Sequence, residues 1–317
     1  MKSPNRIDRL ADGLLATLTR NVLPAFKAYV DACAVSRWLI ASDFCIGTTH
    51  RNDTFVYTTI PGDRKLPHPE TIARLLPHDL KHTKTIDEAV LTFLKRQEWF
   101  SFVFVPDKTR RLIRSHQEAR VGLDESISMM QSWPNADTHL DLIRKTKAVR
   151  QKASSKGFNL KLFNDVVLAS ALGAVVGTFI SRCTDVSAIG WAPDRDAITE
   201  KWGGIANLFF VANLHAFCVQ HGIRESPQPA YFGPTPGQPA DEGLWYDPFV
   251  RIADYVAGAI AACDLTGART RGRTPKHHEI VFNVLADNPN VAVVRLGFST
   301  EQWSGSIVKL SRSPQQG

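Results

Sequence analysis

The sequence lacks most of the short signatures that announce an activity. It has no Gly-x-x-x-x-Gly-Lys-Ser/Thr loop to cradle a nucleotide's phosphates, and Ser304-Gly305-Ser306 makes no nucleophile elbow. A P-loop ATPase and a serine hydrolase are therefore disfavoured. Cysteine is scarce and scattered: Cys33, Cys45, Cys183, Cys218 and Cys263 are odd in number and form no Cys-x-x-Cys, so reduced, mostly buried thiols are expected. His277-His278-Glu279 carries metal-capable atoms, but no second cluster at zinc spacing accompanies it. The longest apolar stretch, residues 166–180, is interrupted by Ser170, Gly173, Gly177 and Thr178 and falls short of the ~20 residues a bilayer span needs, so no membrane helix is expected. Arg6, Asp8, Arg9 and Asp12 precede any apolar run, the wrong order for a secretory signal, and the expected location is cytoplasmic. No internal repeat or low-complexity tract is present.

What is there suits a globular protein: 317 residues, 44% of them hydrophobic, can bury a substantial core, and one elaborated domain is expected. The net charge of +7 is uneven. Residues 107–161 hold twelve Lys and Arg against six acids, nearly the whole excess. Such a stripe can neutralise phosphates on a nucleic acid, or it can be a solvated helical face.

Helical spacing of Leu10, Leu14, Leu15, Leu18, Val22, Phe26 and Val30 predicts an N-terminal helical segment over 1–35, kinked or divided at Pro24. Residues 38–44 and 54–60 read as a β-hairpin, 71–80 and 86–95 as helices, and 99–105 as a buried third strand. The aromatics Trp99, Phe100, Phe102 and Phe104 are assigned to the core in preference to a base-stacking platform. Residues 107–156 read as a basic helical insertion broken at Gly122 and at Trp133-Pro134-Asn135. A long helix follows over 159–181, a fourth strand over 186–191 and a helix over 199–221. The Pro-rich connection 224–248 is long for a compact domain and is expected to be functional or mobile. The last core helix begins with Asp247 as N-cap and Pro248 at the first helical position. A basic run, a helix near 279–286 and a strand near 291–296 complete the chain. This divides the protein into core parts at 36–106 and 157–264, with a basic C-terminal extension at 265–317.

Within this order three carboxylates sit in apolar surroundings, which is costly unless they are paired, hydrogen-bonded or bound to a cation. Asp43 closes Trp38-Leu-Ile-Ala-Ser-Asp43, Asp194 follows the fourth strand, and Asp254 lies two turns into the last core helix, in line with Val250, Ala257 and Ala261. Duller roles exist for each. Asp43 can cap a hairpin turn, one of Asp194 and Asp196 can cap the following helix, and Asp254 can pair with Arg251. Asp254 is the hardest to explain without a cation, because it is too deep in its helix to cap and a surface pair is worth only a few tenths of a kcal/mol.

A hairpin, a third strand, a long helix, a fourth strand and two further helices, with acids at these three places, resembles the RNase H-like superfamily. The nearest likeness is to an uncharacterised family of bacterial genomes and mobile elements. That family's strand ending in Asp-Glu-Ser-Gly is matched in part by Ser42-Asp43-Phe44-Cys45-Ile46-Gly47, and its C-terminal helix by Ala253-Asp254-Tyr-Val-Ala-Gly-Ala. The resemblance implies a mixed sheet flanked by helices. It also implies that Asp43, Asp194 and Asp254 hold Mg²⁺ or Mn²⁺, with Asp165 or Asp196 as auxiliary ligand, for two-metal phosphodiester cleavage. Asp165 has an equally good explanation as an i,i+4 partner of Lys161. Lys145, Lys147, Arg150, Lys152, Lys156, Arg269, Arg271, Arg273 and Lys276 are the expected phosphate contacts on RNA, DNA or a hybrid. The alternative is a catalytically degenerate member that binds nucleic acid or a partner protein in a larger assembly, such as a defence or mobile-element complex.

Overall fold

The computed structural model describes residues 6–47, 51–62, 68–96, 98–108, 110–133, 140–223, 227–231, 243–265, 271–272, 274–298 and 303–312. The elements, in order, are α1 (Arg6–Asn21), α2 (Leu23–Cys33), β1 (Arg37–Cys45), β2 (Thr54–Pro61), α3 (Pro69–Leu75), α4 (Glu88–Leu94) and β3 (Phe100–Pro106). Then come α5 (His116–Gln131), α6 (Leu140–Lys152), α7 (Leu160–Cys183), β4 (Ala188–Pro193), α8 (Ala197–Gln220), β5 (Gln228–Tyr231) and α9 (Asp247–Ala261). The chain closes with β6 (Cys263–Asp264), β7 (Arg271–Gly272), α10 (Pro275–Ile280), a π-helical turn (Val281–Leu285), β8 (Val291–Phe298) and β9 (Trp303–Val308).

The chain forms two compact units. One comprises 1–11, 111–178 and 195–224, and the other 12–110, 179–194 and 225–317. The second unit holds a seven-stranded mixed sheet in the order β5-β4-β1-β2-β3-β8-β9. Strand β2 is antiparallel to both of its neighbours, β1 and β3, β4 joins β1 in parallel, β5 joins β4 in parallel, and β8 joins β3 in parallel before β9 turns back on it. Strand alternation gives the sheet two apolar faces. One carries Leu39, Ala41, Val56, Val103 and Ala192 and is covered by α9 together with Ile72 of α3, Phe93 of α4 and Ile280 of α10. The other carries Phe100 and Phe102, whose rings lie 5.0 and 5.2 Å from Phe26 of α2 and share it with Phe179 at the end of α7. Such pairs add about 0.5–1.5 kcal/mol each beyond area burial.

The hairpin, the third strand, α7, β4 and α9 stand where the sequence places them, with ends moved by one or two residues. The chain divides at Val22, just before Leu23-Pro24 opens α2. Four expectations are corrected. Gly122 does not break α5, which runs through it from a Ser115 cap that accepts the Glu118 N–H at 3.1 Å. The Pro-rich connection contains β5; Pro229 is tolerated because β5 is an edge strand. The supposed C-terminal extension supplies β8 and β9 to the sheet. Asp247 does not cap α9: its carboxylate turns back to accept the Leu244 N–H at 2.7 Å, and Tyr246 occupies the cap position.

In the first unit α5 lies against α6, α6 against α8, and the Ser170 hydroxyl of α7 donates to the Ala206 carbonyl at 2.8 Å. Asp196 caps α8, accepting the Ile198 and Thr199 N–H groups in a capping box with Thr199. Trp202, Gly203 and Gly204 then take successive positive φ angles of 53°, 71° and 74°, a left-handed turn that glycine adopts without Cβ cost. Trp202 is held there by stacking on Phe158, with ring centroids 5.1 Å apart.

Among the described residues two helices, α7 and α8, reach 24 residues and are apolar enough to cross a membrane by length and composition, although α8 is broken by the left-handed turn at Trp202, Gly203 and Gly204. The apolar run of α7 extends beyond 166–180 because Leu160, Leu162 and Phe163 continue it. Its most apolar window is 83% buried inside the protein and that of α8 50%, so core packing accounts for most of the apolarity of α7.

Candidate metal centre

The three candidate aspartates lie in one unit. Asp43 belongs to β1 and shares the parity of Leu39 and Ala41, so it stands on the face covered by α9. In the parallel ladder Ser42 is opposite Pro193, and the Asp194 N–H donates to the Ser42 carbonyl at 2.8 Å. The pairing thus runs one step past β4 and sets Asp194 beside Asp43, with neighbouring strands ~4.8 Å apart. Asp194, just past the end of β4, keeps the parity of Ala192 but is exposed, so the apolar setting expected from the sequence holds for Asp43 and Asp254 and not for Asp194. Asp254 is on α9 itself, between the buried Ala253 and Tyr255.

Asp43 is only 7% exposed, and the Cys45 thiol donates to its Oδ2 at 3.8 Å. Burial pushes the Cys45 thiol far up, and Asp43 and then Asp254 push it further. Burial likewise pushes Asp254 up to about 6; the Leu80 N–H and Arg251 oppose the shift, and Asp194 adds to it. Cys45 thus senses Asp43 and Asp254, and Asp254 senses Asp194, so the three carboxylates share one electrostatic neighbourhood. Among the described residues, no three His, Cys, Asp or Glu side chains are drawn together closely enough to hold an ion as they stand.

A backbone turn at 79–83 bears on Asp254. Its Leu80 N–H donates to Asp254 Oδ2 at 2.6 Å, and Arg251, the alternative partner weighed for Asp254, makes its ion pair with Asp79. The Thr83 and Tyr255 hydroxyls meet at 3.0 Å. Lys276 Nζ donates to the carbonyls of Leu80 at 2.7 Å and Thr83 at 2.6 Å. Sequence reasoning misses this turn, because partners separated by 174 to 196 positions leave no local pattern.

The other candidates are placed elsewhere. Asp165, 6% exposed, lies on α7, and Asp196 is occupied as the α8 cap; both belong to the first unit. On α6, Lys145 pairs with Asp141 at 3.1 Å, and Arg150 grips Asp124 through two bonds of 2.9 and 3.0 Å. Lys147, Lys152 and Lys156 are exposed. Lys276 is committed to the turn, whereas Arg269, Arg273 and the side chain of Arg271 lie outside the described residues.

The chain is thus an α/β protein with a mixed seven-stranded sheet and a carboxylate-bearing edge between β1, β4 and α9. Comparisons with protein families, curated proteins and solved structures found no significant match.

Proposed function

We propose that this protein is an RNase H-like, metal-dependent phosphodiesterase acting on RNA, DNA or a hybrid, with Asp43, Asp194 and Asp254 as its cation ligands. The observation that carries the reading is the Asp194 N–H to Ser42 carbonyl bond, which sets two carboxylates side by side on the face that α9 supplies with a third. The donor chemistry fits: carboxylate oxygens suit Mg²⁺ or Mn²⁺. A burial-raised Asp254 that also senses Asp194 is a site where a divalent cation would relieve both desolvation and repulsion. When bound, such ions activate water and stabilise the leaving oxygen of a phosphodiester. Asp43 and Asp194 hold their positions through the β1–β4 ladder, and Asp254 through the Leu80 amide. Exposed Lys147, Lys152 and Lys156 supply phosphate contacts that give affinity without sequence readout.

The test is cleavage of a mixed panel of single- and double-stranded RNA, DNA and hybrid with Mg²⁺ or Mn²⁺. Asp254→Asn should keep its circular dichroism and lose the metal-dependent cleavage, and undiminished cleavage overturns the assignment. One observation favours a second reading, a degenerate subunit that binds nucleic acid or a partner protein: among the described residues no three ligands stand ready around an ion. Nucleic-acid binding without cleavage by the wild-type chain would decide for it.

A further inference from the structure

The turn at 79–83 is tied down at both ends by charge. Its first free amide, Leu80 N–H, faces the Asp254 carboxylate, and its carbonyls at Leu80 and Thr83 face the Lys276 ammonium. Amides toward an anion and carbonyls toward a cation is the polarity a single helical turn favours. The turn closes on itself, since Asp79 O accepts from the N–H groups of His82 and Thr83 and from the Thr83 hydroxyl. Shifting the Lys276 end would therefore shift the Leu80 end. The seat is shaped for it: Leu80 is buried, and Gly258 on α9 leaves the room its side chain occupies, because a Cβ there would stand 2.8 Å from Leu80 Cδ2. Arg251 to Asp79 and Tyr255 to Thr83 fasten the same turn to the helix that carries Asp254.

We propose that Lys276 is a positioning residue: through the 79–83 turn it aims the Leu80 N–H at Asp254 and so fixes one carboxylate oxygen, leaving the group oriented for a cation. This rests on the cation reading above. Ligating carboxylates held by outer hydrogen bonds lose about 10–100-fold in metal affinity when the outer partner is removed. Lys276 lies 22 positions beyond Asp254 and spends its ammonium on the turn's carbonyls, so it acts on the site through this relay.

The experiment uses the full chain with Lys276→Met, which keeps the apolar stem and removes the ammonium, and Lys276→Arg as the conservative variant. Lys276→Gln serves as a second removal if the Met variant does not fold. Mn²⁺ affinity is read by titration calorimetry, Leu80 amide exchange by NMR, and folding by the metal-free melting temperature. The expected result is about 10-fold or greater weakening of Mn²⁺ binding with faster Leu80 exchange in the Met or Gln protein, and recovery of both in the Arg protein. Unchanged Mn²⁺ affinity, whether or not the melting temperature falls, overturns the proposal and leaves Lys276 a structural tie. A wild-type chain that binds no Mn²⁺ overturns the cation reading itself, a result distinct from a wild type that binds and a variant that binds equally.

Discussion

The Asp194 N–H reaches the Ser42 carbonyl at 2.8 Å, one residue beyond the last strand pair of β1 and β4. That bond turns two acids 151 positions apart in the chain into neighbours on one sheet face. It also separates Asp194 from Asp196, whose carboxylate is held by the Ile198 and Thr199 amides.

The stability of the metal-free protein should fall as pH rises through the range set by Asp254. Its folded-state value of about 6 lies above its ordinary value of 3.8. The favourable contribution is complete below about pH 4 and is lost as pH rises through about 6, a change of roughly 3 kcal/mol. Urea melts from pH 4 to 7.5 should show this slope in the wild type and a flatter one in Asp254→Asn. Equal slopes would remove Asp254 as the source.

Millimolar Mn²⁺ should raise the melting temperature in EDTA-treated protein. An ion at a hundred times its dissociation constant stabilises by about 2.7 kcal/mol when it binds only the folded state. Asp43→Asn and Asp254→Asn should each abolish most of that rise, and Asp196→Asn, a conservative change at a helix cap, should leave it in place.

Gly13→Ala should destabilise, against helix propensity. Alanine in a helix interior gains about 1 kcal/mol over glycine. At Gly13, however, an added Cβ would overlap the Trp303 indole of β9, and overpacking of that kind costs about 1–3 kcal/mol. Denaturant melts should therefore show a lower midpoint than wild type.

Replacing Lys147, Lys152 and Lys156 together with Gln should weaken binding to RNA and DNA alike. The salt slope of log K should become shallower by about 0.9 for each duplex phosphate that is no longer neutralised. The Mn²⁺-induced rise in melting temperature should be untouched. A sequence-selective weakening would contradict a purely electrostatic role.

Much of the fold was legible because period and capping are local. Short runs rich in apolar, β-branched and aromatic residues give β1, β2 and β3, which are buried on both faces, and the helical spacing of Leu10 through Val30 gives α1 and α2. Gly122 misleads because one glycine costs a helix only about 1 kcal/mol, which packing of Ala119, Leu123 and Ile127 offsets. β9 escapes notice because Trp303-Ser-Gly-Ser-Ile-Val has little apolar alternation and borrows its register from β8. At the site, the apolar setting of Asp43 and Asp254 is visible in the sequence. The turn that holds Asp254 is not, since Leu80 contributes a backbone amide, which every residue but proline possesses.

The two rims of the sheet are unequally guarded. β5 carries Pro229, which cannot donate a hydrogen bond to an incoming strand, whereas β9 offers six residues with neither charge nor proline and, among the described residues, has α1 on its face at Trp303 and Gly305 and no strand beyond it. Self-association at high concentration should therefore start from β9, and a lysine at the exposed Ser306 is the economical way to keep concentrated samples clear.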